Sequence, residues 1–253
     1  MSILEAFSFL TGLGPARVPS RRATAWFPLV GLALGLSLGG LWWGAGREWP
    51  AGVAAASVVV ADLVLTGMLH FDGLLDAADG LLAPLTRARR LEVMRDPQTG
   101  AFGVTTGAVT LLVRWVALAA LAPRPLLLAG LWCASRSAMA LTLVTVPYAR
   151  PEGGLASPFR ATGSSLWRTP TPWAGLAGLA VGTLSAAAQA HLGGVNVPYC
   201  RLSGAVSVVG AMVAFAAVVI LARRRLGGYT GDILGAAGVV GETVGLVVAS
   251  AHW

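Results

Sequence analysis

"WPAGVAAASVVVADLVLTGMLHFDGLLDAADGLLAP", residues 49–84, decides how this chain folds. Its first half is an almost unbroken apolar run, long enough as a helix to cross a hydrocarbon core of about 30 Å. Its second half, "HFDGLLDAADGLLAP" (70–84), sets Asp72, Asp76 and Asp79 together where the apolar run ends. Carboxylates beside a bilayer have to be neutralised or used.

The rest of the chain follows the first half. Of 253 residues, 56% are hydrophobic and 11% charged, against about 25% charged in soluble domains. The mean hydropathy is +0.73. Apolar runs fall at roughly 26–45, 52–70, 104–121, 126–147, 173–191, 204–222 and 233–251. Gly, Ala, Leu and Val dominate them, and small residues let membrane helices approach closely. The pattern predicts an all-α, polytopic integral membrane helix bundle of about seven transmembrane helices. No internal repeat or linker divides it, so residues 1–253 read as a single membrane domain. The opening "MSILEAFSFLTGLG" is too short to span and has no basic n-region. It carries Glu5, and residues 1–20 are expected to lie on the membrane surface. Cys133 and Cys200 have no metal-ligand spacing, and no disulfide framework is expected.

The net charge of +7 comes from arginine alone. These arginines sit in short loops, which points to topology rather than nucleic acid. With the N-terminus in the cytoplasm, thirteen fall on the inner side: Arg17, Arg21, Arg22, Arg87, Arg89, Arg90, Arg95, Arg150, Arg160, Arg168, Arg223, Arg224 and Arg225. Arg47, Arg124 and Arg201 fall outside, and Arg114 and Arg136 fall within spans. That bias sets the orientation. Most acids share the inner side, which the rule for arginines does not explain. Segment 71–103 is therefore the candidate active-site segment. Asp62 and Glu242 lie within spans; a cation transporter, the reading from another class, would use them. Transporters often show inverted repeats, and none is visible.

If a helix runs through residue 82, Asp76 sits about 40° from Asp72 and Asp79 about 20° to the other side. Spacing of i, i+4 and i+7 stacks all three on one face. Asp96 follows a short basic segment, and Pro97 and Gly100 let the chain turn it back toward the stripe. Such a stripe is stable if protons, arginines or a divalent cation relieve it. Oxygen ligands favour Mg²⁺ or Mn²⁺ over zinc. Asp72, Asp76, Asp79 and Asp96 are the metal-ligand candidates. The alternative is a solvated helix end paired with Arg87, Arg89 and Arg90. Asp96 is also a candidate general base. His70, on roughly the opposite face, serves as base or ligand only if Gly73 breaks the helix; otherwise it is structural. Arg136, buried in a span, either binds substrate phosphate or pairs with Asp62 or Glu242. Arg95, beside Asp96, is a further substrate-binding candidate. In "LGGYTGD" (226–232), Gly228, Thr230 and Asp232 open a helix whose amides can cradle phosphate. A plain helix cap by Asp232 is the alternative.

The spacing Asp76-Ala-Ala-Asp79-Gly80 is similar to the D-x-x-D-G of CDP-alcohol phosphotransferases. That family's Ala-Arg is Ala83-Pro84 here. The whole stretch "HFDGLLDAADGL", followed by "MRDPQTGAFGV" (94–104), more closely resembles the cobalamin synthase (adenosylcobinamide-GDP ribazoletransferase) family. "SRSAMALTLVTVPYARPEG" (135–153), "RRLGGYTGDILGAAGVVGE" (224–242), "FSFLTGLGPARVP" (7–19) and "FPLVGLALG" (27–35) fit as well, so the likeness covers nearly the whole chain. Leu75 departs from it, replacing a small residue, and 151–168 matches loosely. The resemblance implies a Mg²⁺-dependent transferase in a bacterial inner membrane, with its active site facing the cytoplasm. It implies that adenosylcobinamide-GDP and α-ribazole, or α-ribazole 5′-phosphate, are joined with release of GMP. Membrane lipid is the expected surround, and self-association into a homo-oligomer is left open.

Overall fold

The computed structural model describes residues 2–13, 20–150, 170–192 and 198–251. Among these, the chain forms α1 (Ser2–Leu10), a 3-10 helix (Arg21–Trp26), α2 (Phe27–Glu48), α3 (Ala51–Leu65), α4 (Leu69–Leu82) and α5 (Arg87–Val93). There follow α6 (Ala101–Ala119), α7 (Pro125–Thr145), α8 (Pro170–Leu192), α9 (Pro198–Leu226) and α10 (Gly231–Ser250). Among the described residues there is no sheet; one parallel bridge joins Tyr148 to Tyr229.

Six of the seven apolar runs are each carried by one helix, and the run 52–70 is split between α3 and the start of α4. Five helices, at 21–48, 101–119, 125–145, 203–226 and 231–250, are long and apolar enough to cross a membrane; the bent pair α3–α4 makes six if it counts as one crossing. Outward-facing positions on the spans are Val, Leu and Ile, such as Val64, Leu112 and Val213. Water would penalise so much exposed apolar surface, and lipid does not. Arg17, Arg160, Arg168 and the loosely matching 151–168 lie outside the described residues. Trp42 and Trp132 are buried core residues.

α7 is the central post, buried along nearly its whole length. α2 reaches it through a ladder of small residues. A Cβ on Gly31 would stand 2.5 Å from Trp132 O, one on Gly35 2.5 Å from Leu128 O, and one on Gly39 2.5 Å from Pro125 Cα. Glycine every fourth residue lets the two backbones touch, and dispersion between packed helices replaces the hydrophobic effect that lipid does not supply. α8, α9 and α10 complete the ring around the post.

The segment 49–84 does not form one continuous helix. α3 ends after fifteen residues, and α4 leaves it at 88°. The turn is made by Gly67 (φ 56°) and Met68 (φ 58°), both left-handed. A Cβ on Gly12 would stand 2.8 Å from Gly67 Cα, and the Gly12 N–H donates to Leu65 O at 2.8 Å. The loop after α1 therefore seats on the bend. α4 then lies across one end of the bundle, against the first residues of α6 and α10 and the last turn of α9.

Candidate active site

Because Asp72, Asp76 and Asp79 all follow the bend, they keep the i, i+4, i+7 face on the one helix α4. Their environments differ. Asp79 is buried. Its Oδ2 accepts from the Gly100 N–H at 2.7 Å and its Oδ1 from the Gly103 N–H at 2.9 Å. It thus caps α6 from a neighbouring helix, where free amides and the helix dipole favour a carboxylate. Asp72 is exposed and Asp76 half-buried.

The arginines expected to neutralise this face do not reach it. Arg90 donates to Gly80 O at 2.6 Å and Leu81 O at 2.8 Å, and Arg225 also donates to Leu81 O. Both close the C-terminal end of α4. Arg89 pairs with Glu92 at 2.7 Å. Burial, then repulsion from Asp232 and Asp72, push the Asp76 carboxyl from its ordinary 3.8 up to about 7; Arg150 opposes the shift and Asp79 adds to it. The carboxylate face is therefore short of positive charge.

Asp232 joins this face from the first turn of α10. A Cβ on Gly73 would stand 2.9 Å from Asp232 Cα, so glycine at 73 lets the two helices cross closely rather than breaking α4. Thr230, not Asp232, is the N-cap of α10: its Oγ1 accepts from the Ile233 N–H at 3.3 Å and donates to Asp232 Oδ2 at 3.2 Å. The glycine turn is engaged by protein. The Tyr229 N–H donates to Pro147 O at 2.9 Å and the Ala149 N–H to Tyr229 O at 2.8 Å. A Cβ on Gly228 would collide with Pro147 O. The clamp ties the segment after α7 to the start of α10 and so delivers Arg150. Its guanidinium donates to Asp232 Oδ2 at 2.7 Å and to Met94 O at 3.2 Å. The sequence marks Arg150 only as a topology signal, although it stands inside the family-like patch "VPYARPEG".

A cavity of about 210 Å³ opens at this place. Phe9, Leu10, Phe27, Leu69, Met139 and Leu143 line one side; His70, Asp72, Arg150 and Asp232 line the other. His70 reaches it without a break at Gly73, because the cavity lies at the first turn of α4. Among the described residues its Nδ1 is buried with no hydrogen-bond partner, as is Arg150 Nε. Leu75, the departure from the family pattern, packs where α6 carries Gly107; a Cβ there would stand 2.5 Å from Leu75 Cδ2.

Three other candidates do not line this cavity. Asp96 is exposed, and its Oδ1 accepts from the Gln98 N–H at 2.9 Å in the turn before α6. Arg95 is exposed beside it. Arg136 is 1% exposed and pairs with Glu242, the partner named as its alternative. Arg114 also binds Glu242 (3.1 Å) and Asp62 (2.5 Å), and the Trp132 indole donates to Asp62 at 3.0 Å. Two acids and two arginines thus balance inside the bundle, which removes the free acid a transporter needs.

Among the described residues, no three His, Cys, Asp or Glu side chains stand close enough to hold one metal ion by themselves. Mg²⁺ usually takes one or two carboxylates and fills its shell with water and phosphate oxygens. The oxygen-only donors and excess negative charge at Asp72, Asp76 and Asp232 fit that chemistry.

Known proteins are similar to this chain along most of its length. A Bradyrhizobium diazoefficiens protein named adenosylcobinamide-GDP ribazoletransferase is 37% identical over 238 residues, covering 91% of this chain and 83% of that one. A Ralstonia nicotianae protein of the same name is 36% identical over 236 residues, covering 90% and 83%. One from Pseudomonas paraeruginosa is 36% identical over 249 residues, covering 93% and 91%. No solved structure matches the chain. The family described as cobalamin-5-phosphate synthase matches residues 2–250, from α1 through the last turn of α10, with every residue of the carboxylate cluster inside the match; the chain belongs to that family.

Proposed function

We propose that this protein joins adenosylcobinamide-GDP to α-ribazole, or to its 5′-phosphate, and releases GMP, leaving adenosylcobalamin or its 5′-phosphate. The observation that carries the reading is the carboxylate face of α4 and α10, with Arg150 set against it, opening on a cavity, in a chain whose relatives bear that activity's name.

A ribose hydroxyl oxygen forms a bond to the phosphorus attached to the cobinamide. The bond from that phosphorus to the oxygen bridging to GMP breaks, and GMP leaves with that oxygen. The hydroxyl proton passes to a carboxylate at the acidic edge of the cavity, a place that suits Asp72 or Asp232 better than Asp96. Such a transfer depends on positioning and charge neutralisation more than on covalent help. Arg150, fixed by Asp232 and Met94 O, presents its guanidinium to a phosphate oxygen. Asp72 and Asp76 would hold Mg²⁺, which when bound would supply the positive charge that a diphosphate requires. Asp79 shapes the site by fixing α6.

The site faces the cytoplasm of a bacterial inner membrane. What supports this is that the carboxylates share their end of the bundle with Arg87, Arg89, Arg90 and Arg223–Arg225, whereas the other end carries Arg47, Glu48 and Arg124.

The test is GMP release by the protein in lipid, given both substrates, with and without Mg²⁺, beside Asp72→Asn. Mg²⁺-dependent GMP and corrinoid product, lost in the variant, support the reading. A folded protein that yields no GMP with any divalent ion overturns it.

A further inference from the structure

The cavity has two unlike ends, and so does a nucleoside. Asp72, Asp232 and Arg150 gather at one side; phenylalanine, leucine and methionine side chains make the other. The rings of Phe9 and Phe27, both on the apolar side, stack on each other, 5.9 Å apart and 13° from parallel. Apolar aromatic linings suit planar aromatic groups, which pack on them with large contact area. Two buried nitrogens without a partner among the described residues, His70 Nδ1 and Arg150 Nε, belong to residues lining this cavity; His70 also borders a smaller one beside Asp62, Arg114, Arg136 and Glu242. A buried nitrogen is stable there only when something hydrogen-bonds it.

Resting on the transferase reading above, we infer that this apolar end seats the bicyclic aromatic base of the ribazole, with His70 Nδ1 bonded to the base's free ring nitrogen. The ribose then points to the acidic edge, where its hydroxyl meets the diphosphate. The other moieties fit less well. A corrin ring with its amide arms does not enter a cavity of about 210 Å³. Guanine carries several donors and acceptors along its edge, and a wall of phenyl, thioether and leucine groups would leave them unpaired. A benzimidazole-type base on ribose offers one free ring nitrogen, matching one unpartnered histidine nitrogen.

The inference gives α1 a task. Phe9 and Leu10 are the cavity wall contributed by α1, which is tethered at both sides: the Ser20 hydroxyl donates to Glu5 Oε2 at 2.5 Å, and Gly12 presses on the bend at Gly67. The N-terminal helix is then a specificity element for the base.

The experiment uses the full chain in lipid nanodiscs and two ligands: α-ribazole and its indole isostere, in which the free ring nitrogen is replaced by C–H. Direct binding of each is measured, together with KM for both substrates of the transfer. Phe9→Ala is expected to weaken α-ribazole by about 10–100-fold, the range for lost contact in an apolar pocket, with KM for adenosylcobinamide-GDP within about twofold. The wild type is expected to prefer α-ribazole over the indole isostere, and His70→Leu to erase that preference while still binding the isostere. Phe9, a half-buried lining residue, keeps the test open if His70→Leu does not fold. Unchanged α-ribazole binding in Phe9→Ala, or a rise confined to KM for adenosylcobinamide-GDP, overturns the inference. If the wild type binds α-ribazole in this way yet releases no GMP, the transferase reading fails and the base seat stands. If GMP is released but the variants do not alter ribazole binding, the seat fails and the reading stands.

Discussion

Asp79 gives both carboxylate oxygens to backbone amides of α6, while Asp76, one turn away, is held near other carboxylates with only Arg150 in opposition. Substitution separates the two roles. Asp79→Ala removes a helix cap, and its expected cost is about 0.5–2 kcal/mol of stability, read as a lower midpoint of thermal unfolding. Asp76→Asn removes a charge that the fold resists, and the expected outcome is the reverse. Its folded carboxyl titrates near 7 rather than at 3.8, so the fold binds the proton more tightly than the unfolded chain does. The resulting penalty is absent below the unfolded value, grows as pH rises between the two, and is constant above about 7. In EDTA, Asp76→Asn should therefore raise the unfolding temperature at pH 8, and by more than at pH 5. Its transferase turnover should fall about 10²–10³-fold, the range for one preorganised electrostatic contact. An equal gain at both pH values would show that Asp76 is not strained by its neighbours.

At the scale of elements, α2 and α7 illustrate how composition becomes packing. Gly31, Gly35 and Gly39 face α7, whereas a methyl group placed on Gly40 would meet nothing within 4 Å. Gly35→Ala should cost about 1–3 kcal/mol, as overpacking does in a filled core; Gly40→Ala should stay within about 0.5 kcal/mol of wild type. Thermal unfolding in one detergent compares them directly. The bend between α3 and α4 is not legible in the sequence. Gly67 alone is one of many glycines, and Met68 is an unusual residue for a left-handed conformation. Only the seating of Gly12 on Gly67 reveals why the chain turns there. The acidic face itself is legible, because 72, 76 and 79 share a face whether or not α4 continues α3.

Across the whole molecule, α3, α6, α7 and α10 meet at Asp62, Arg114, Arg136 and Glu242. Each acid has an arginine, and the cluster joins elements far apart in the chain. Glu242→Gln leaves Arg114 paired with Asp62 but takes from the buried Arg136 its carboxylate. Removing one partner of a buried pair costs about 3–5 kcal/mol, so the variant should unfold at a markedly lower temperature. Adding Arg136→Met should recover part of that loss. No recovery in the double variant would mean the two side chains act independently.

The membrane-bundle class and the acidic stripe on one helix follow from the order of residues alone, because apolar run length and helical period are local properties. The family is carried the same way, through patches spread along most of the chain. How each charge is used depends instead on the packing of distant elements. Asp79 is a cap because α6 begins beside it, and Arg136 is a structural partner because Glu242 faces it. Arg150 enters the site because the Tyr148–Tyr229 bridge carries it to Asp232. A side chain's charge is written in the chain, but its partner is set by which distant backbone arrives within a few ångströms, and that depends on how the helices cross.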